Sequence, residues 1–366
     1  MNTRERFVKT LTGEPVDRVP FIKVFGGTNA VLPRWKDEYP GIETCIDELL
    51  RFEGVYRGWG ITPVNMDPAN MGSSEVLSET ETIIVRRAGD GTVDQIYKDG
   101  DYKRHTIEWP IKTMQDWNVY REKHLDPDDL SRFPSDWSAR VTEYKTRDYP
   151  LQLTHRGVYG FARERMGDEK LAYAFYDTPE LVHSMMESYT DFAIKLWEKQ
   201  TDEVEFDLIE CWEDMASKNG SLISPAMFDE FMAPCYNRIA KFAREHEIKI
   251  ILVDSDGFIE SLTDSMLKAG VNTLYPYEVL AGNDVGRVLD RYPHVGIIGG
   301  LRKESMYEGK EAIDREMEKA RKWIKKGRYI PGPDHFVLGH ASFANYRYFM
   351  ESLRDVVMTT TVSSLT

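Results

Sequence analysis

From residue 206 onward the chain alternates short apolar runs with longer stretches of helical period. The apolar runs are 206–211 (FDLIEC), 249–253 (KIILV), 271–275, 295–298 (VGII) and 328–331. Between them the apolar positions recur at three- and four-residue spacing, over about 225–246, 258–268, 284–291, 310–326 and from 343 on. Proline in the first turn opens the stretch at Pro225, and Gly270 and Gly327 close two others. Short apolar runs separated by helices predict parallel strands buried on both faces. Three earlier runs fit the same pattern, at 18–24 (RVPFIKV), about 60–64, and 151–155. That makes eight, the number a closed (β/α)8 TIM barrel requires. Residues 82–97 alternate apolar and polar around Gly89-Asp90-Gly91 and are followed by 105–111. This predicts an antiparallel hairpin inserted near 80–111. No repeat or low-complexity run divides the chain, so residues 1–366 read as a single barrel domain. An open doubly wound sheet is the competing architecture, but no GxGxxG or GxxxxGK[ST] follows any strand.

Composition narrows the function classes. With 366 residues, 41% hydrophobic and 30% charged, the chain has ample material for a core. The net charge of −14 disfavours a phosphate backbone, so no nucleic-acid partner is expected. No apolar run approaches 18 residues, so no membrane partner is expected either. The opening MNTRERFVKTLTGE is charged and lacks an apolar h-region, so no secretory signal is expected. Cys45, Cys211 and Cys235 are isolated, which suits a reducing cytoplasm.

In a parallel barrel the chemistry sits where the strands end. There the sequence puts His155 and Arg156 after the third strand, and Glu210, Cys211, Trp212, Glu213 and Asp214 at the fourth. Asp254, Ser255, Asp256 and Gly257 follow the fifth, Tyr275, Pro276, Tyr277 and Glu278 the sixth. Gly299-Gly300 follows the seventh, and Pro333, Asp334 and His335 the eighth. Carboxylates crowded at one mouth repel unless a cation or shared protons compensate. A divalent ion with oxygen and nitrogen ligands would do so. Simpler roles exist for each. Asp256 and Asp214 could cap helices, Glu278 could pair with an arginine, and His335 could be packed. Asp254, leaving an apolar strand at the mouth, is the hardest to explain that way. His105, His124, His183, His246, His294 and His340 fall in helices or connections and read as structural or solvated.

Several segments resemble the uroporphyrinogen decarboxylase superfamily, which also contains the cobalamin-dependent methyltransferases. They are Arg4-Glu5-Arg6 with 11–20 (LTGEPVDRVP), 212–216 (WEDMA), Asn219-Gly220 with Ile223-Ser224-Pro225, 254–257 (DSDG), 299–303 (GGLRK), 329–335 (YIPGPDH) and 342–346 (SFANY). The resemblance spans nearly the whole chain and implies a (β/α)8 barrel. It also separates two chemistries. True uroporphyrinogen decarboxylases carry an arginine-rich segment after the first strand, where this chain reads VFGGTN over 24–29 without arginine. The aspartate they carry after the second strand has no counterpart in Gly60-Ile61-Thr62-Pro63.

The thiol-directed methyltransferases hold zinc with His-x-Cys after the fifth strand and Cys after the eighth; the matching places here are Asp254, Asp256 and His335. This harder set suits a metal holding oxygen rather than a thiolate. The resemblance therefore implies a corrinoid-dependent methyltransferase, the O-demethylase component, acting on a small O-methyl donor, aromatic ones included. Asp254, Asp256 and His335 are the expected ligands of a divalent metal, zinc first. Glu213 is a fourth ligand or a general acid, making Glu213, Asp256 and His335 the catalytic set. His155, Trp212, Tyr277 and Glu278 are expected to line the substrate pocket. Cobalamin would come on a separate corrinoid protein, because the chain has no DxHxxG-like signature. A homodimer fits this class. The competing readings are a metal-dependent decarboxylase or lyase of a small acid, and a binding barrel without catalysis.

Overall fold

The computed structural model describes residues 1–24, 33–98, 104–337 and 339–363. In chain order its strands begin with β1 (Gly60–Ile61), β2 (Glu75–Glu79), β3 (Ile83–Arg87), β4 (Val93–Tyr97), β5 (Arg104–Glu108) and β6 (Leu151–His155). They continue with β7 (Leu208–Trp212), β8 (Ala216–Ser217), β9 (Gly220–Ser221), β10 (Ile250–Asp254), β11 (Thr273–Tyr275), β12 (Gly296–Leu301) and β13 (Tyr329–Pro333). Seven form one curled parallel sheet in the order β1-β6-β7-β10-β11-β12-β13. This is the barrel wall that the alternation of short strands and helices predicts.

The eighth stave differs from expectation. Residues 21–24 are extended but make only an isolated parallel bridge, Ile22 to Glu53. The Val24 N–H turns onto its own neighbour, the Ile22 carbonyl, at 3.1 Å, and Pro20 has no N–H to give. The stave still fills the gap beside β13, since a Cβ on Gly332 would fall 2.5 Å from the Val24 side chain. β1 is shorter than expected, because Pro63 removes a donor from the ladder. The inserted hairpin is a four-stranded antiparallel sheet, β2-β3-β4-β5. β2 was not foreseen, since all five of its residues are exposed and carry no apolar alternation. The helix expected over 225–246 is broken by a π-helical turn, Phe228–Met232, before Ala233–Glu245. Pro234 cannot donate to residue 230, so the regular ladder fails there. The charged helix Lys310–Lys326 has its expected bounds.

Strand parity positions the site. Leu208 on β7, Ile250 and Leu252 on β10, Tyr275, Ile298 and Ile330 form an apolar cluster inside the barrel with Ile22, Val24 and Trp59. Phe7 and Leu11 of the N-terminal helix Thr3–Thr12 belong to the same cluster and close its lower end. There Arg328 donates to the Leu11 carbonyl at 3.0 Å. Side chains two residues apart on a strand share a face. Glu210 and Trp212 therefore follow Leu208 inward, and Asp254 follows Leu252. Among the described residues no helix is long and apolar enough to cross a membrane.

Candidate active site

The barrel mouth opens into a cleft of about 330 Å³ whose walls include Arg57, Gln152, Thr154, Glu210, Trp212, Asp254, Asp256, His335 and Phe336. Its polar groups fall into two sets at different depths.

The deeper set is built on Arg57. Its Nη1 lies 3.2 Å from Glu210 Oε1 and 3.4 Å from Asp254 Oδ2. Its guanidinium carbon stands 5.6 Å from the Tyr275 ring centre. Burial, and then the adjacent Glu210 carboxylate, push Asp254 well above the usual carboxylate range, with Arg57 pulling it back. The two carboxyl groups therefore stand against a single cation. Beneath it Trp59 donates to Gln152 at 2.5 Å, and Gln152 donates on to Thr154 at 3.0 Å.

The outer set lies at the rim. One carboxylate oxygen each from Asp256 and Glu278 and one ring nitrogen of His335 lie within 4.8 Å of one another, and all three residues are half-buried. His335 Nε2 and Asp256 Oδ2 are 3.2 Å apart. Burial works against a charged His335 ring, but the hydrogen bond and charge of Asp256 outweigh it and raise the imidazole above its ordinary value. Glu278 Oε2 accepts the Gly257 N–H at 2.8 Å, which links the loops after β11 and β10. Buried Asp334 fixes the same region, taking the Val279 N–H at 2.8 Å and the Lys303 N–H at 3.0 Å. Burial pushes its carboxyl up to about 6, while Lys303 and these N–H groups pull it down. Two carboxylate oxygens and one imidazole nitrogen are a donor set that fits a divalent ion.

Several expected site residues lie elsewhere. Asp254 points into the lumen and binds Arg57, while Glu278 takes the third place beside Asp256 and His335. Glu213 is fully buried and accepts the N–H groups of Val158, Tyr159 and Gly160 at 2.8, 2.8 and 3.0 Å, together with the Tyr236 hydroxyl. It caps the helix Val158–Met166, so neither oxygen is available as a fourth ligand or general acid. This approach needs Gly157, at φ +84°, where a Cβ would lie 2.2 Å from the Trp212 carbonyl oxygen. The His155 ring packs on Tyr189 and Trp197, with centres 4.8 and 5.6 Å away, and neither of its nitrogens has a partner. Burial lowers it to about 3, so the ring stays neutral where it borders the wall of the cleft. Tyr277 is fully buried, is not part of the cleft wall, and donates to Glu260 Oε1 at 3.2 Å. Trp212 does reach the cleft and is 40% exposed there. Arg156 lies over its ring, 4.6 Å from the centre.

Arg57 carried no sequence signal, because it stands in a loop and meets its partners across 153 and 197 residues. Glu210 could have been found from its parity with Leu208. Of the segment 24–29, residues 25–29 lie outside the described residues. Arg57 nevertheless supplies a cation at the floor. The three cysteines are all free.

Residues 161–356, more than half of the chain, match the family model for uroporphyrinogen decarboxylase. A methyltransferase from Methanosarcina mazei has a similar structure, with a TM-score of 0.62 at 15% identity, covering 97% of this chain and 98% of that one. The likeness extends to the fold alone. A Listeria monocytogenes structure described as a vitamin-B12 independent methionine synthase shares 13% identity over 60% of this chain and 67% of its own, with a TM-score of 0.31, and carries no weight here. No curated protein matches.

Proposed function

This chain belongs to the uroporphyrinogen decarboxylase family, and within it we propose a methyltransferase that moves a methyl group from a small O-methyl donor to cob(I)alamin on a separate corrinoid protein. The observation that carries this reading is the rim cluster of Asp256, Glu278 and His335 beside a cleft walled by Trp212 and Phe336. Asp256, Glu278 and His335 would hold a divalent ion, zinc first. When bound, such an ion supplies Lewis acidity toward the ether oxygen whose bond to methyl is broken. The chain's own groups do the rest. Trp212 and Phe336 present apolar faces to a methoxylated ring or chain. Asp334 keeps the loops bearing Glu278 and His335 in register through its two backbone bonds. Arg57 holds the Glu210–Asp254 pair as a compact, nearly neutralised floor.

The alternative is a decarboxylase or lyase acting on a small acid, and Arg57 is the one observation in its favour. Both of Arg57's carboxylate partners would have to yield before it could hold a carboxylate of the substrate. The test is to supply the metal-loaded protein with cob(I)alamin and a series of methoxylated donors, and to follow methylcobalamin by absorbance. Methylcobalamin formation is the expected result. Carbon dioxide release from small acids, without methyl transfer, would favour the alternative.

A further inference from the structure

The rim cluster has one more charged neighbour. Lys303, in the loop after β12, brings Nζ to 3.7 Å from Glu278 Oε1 and 3.7 Å from Glu304 Oε1. It is only 9% exposed, so this cation is shielded from water and acts at short range. Its backbone is pinned by Asp334, the carboxylate that also holds the residue next to Glu278. Glu304 keeps its second oxygen, Oε2, buried without a partner. The lysine is therefore fixed between one cluster carboxylate and one carboxylate outside the cluster.

Two carboxylates and a neutral imidazole balance the charge of a divalent ion. Lys303 adds a further positive charge to that balance. Resting on the reading of the rim as a divalent-metal centre, we propose that Lys303 is a tuning and positioning residue. It competes with the ion for Glu278 and places a positive charge beside the loaded centre. It holds metal affinity below what the three donors alone would give, and it favours an anionic oxygen at the centre. Glu304 works in the opposite sense by drawing Lys303 away from Glu278.

The experiment titrates Zn²⁺ into the full-length protein against a chromogenic chelator, comparing wild type with Lys303→Met, Lys303→Arg, Glu304→Gln and His335→Ala. Lys303→Met should bind zinc about tenfold or more tightly than wild type, Lys303→Arg should bind like wild type, and Glu304→Gln should bind several-fold more weakly. Thermal unfolding followed by circular dichroism checks that each variant is folded. If Lys303→Met does not fold, the weaker binding of Glu304→Gln still decides the matter. Zinc binding that His335→Ala abolishes, but that neither Lys303→Met nor Glu304→Gln shifts, overturns the role of Lys303 alone. Zinc binding that is absent in wild type, or indifferent to His335→Ala, overturns the metal centre itself and the proposal with it.

Discussion

The floor and the rim of one cleft use the same kind of residue and reach opposite solutions. At the floor, Glu210 and Asp254 are turned inward by strand parity, and the chain supplies their counter-charge through Arg57. At the rim, Asp256 and Glu278 stand on loops beyond the strands and remain half-buried beside a titratable ring. A deep carboxylate in a barrel must be compensated by the fold itself, because water cannot do it. A rim carboxylate is partly solvated and can remain available to a ligand. Depth, more than residue type, separates a structural acid from a chemical one.

The sharpest way to break this comparison is Arg57→Met. Removing the cation leaves two buried carboxylates facing each other and should cost roughly 3–5 kcal/mol of stability, measured by urea unfolding near neutral pH. An unchanged midpoint would mean that the floor is not a compensated unit. At the rim, His335→Ala should lower methyl-transfer turnover by about a hundredfold or more, while stability changes by less than about 1 kcal/mol. A fall in turnover matched by a fall in stability would make His335 structural, like the floor.

The pH response separates His155 from both sets. His155 falls to about 3 in the folded protein, whereas the unfolded chain takes up its proton near 6.5. Below 6.5 the unfolded state therefore binds more protons, and stability falls with falling pH until about 3. The loss between pH 6.5 and 5 should be on the order of 2 kcal/mol. Comparing urea midpoints at the two values, His155→Leu should flatten this slope. A slope that survives the substitution must come from other groups. The smallest effect is expected from Asp254→Asn. Since burial and the neighbouring Glu210 both disfavour a charged Asp254, an amide of the same shape should shift stability by less than about 1 kcal/mol and leave zinc binding intact. Loss of zinc in this variant would return Asp254 to the ligand set.

Much of the barrel was legible in the sequence, because burial on both faces leaves uninterrupted apolar runs such as KIILV and VGII. The site was legible only where a residue's place could be read from its own strand. His335 and Asp256 follow strand ends directly, and the structure brings them within 3.2 Å of each other. The Asp254–Asp256 spacing suggested a ligand pair, but the first side chain lies on the strand and enters the lumen while the second lies on the loop. Glu278 reaches the cluster through the Gly257 N–H, a contact between loops that sequence spacing cannot express. Glu213 looked reactive at a strand end and is consumed by three backbone N–H groups. β2 stayed hidden because its pairing with β3 leaves no buried face to pattern the sequence.

The N-terminal helix seals the lower end of the barrel against the last strand of the wall. Leu11 meets Arg328 across 317 residues of chain, and Phe7 and Leu11 share one apolar cluster with Ile330. During synthesis at about 5–20 residues per second, that helix must wait roughly 15–60 s for its partners. Through that interval a nascent chain exposes an apolar plug, and it is then most open to aggregation or chaperone capture. Once made, the protein has its N-terminal helix locked to the last strand of its wall, at the end opposite the cleft. A permuted chain that joins residue 366 to residue 1 and opens instead in the exposed β2–β3 connection would make its plug after β13 rather than long before it.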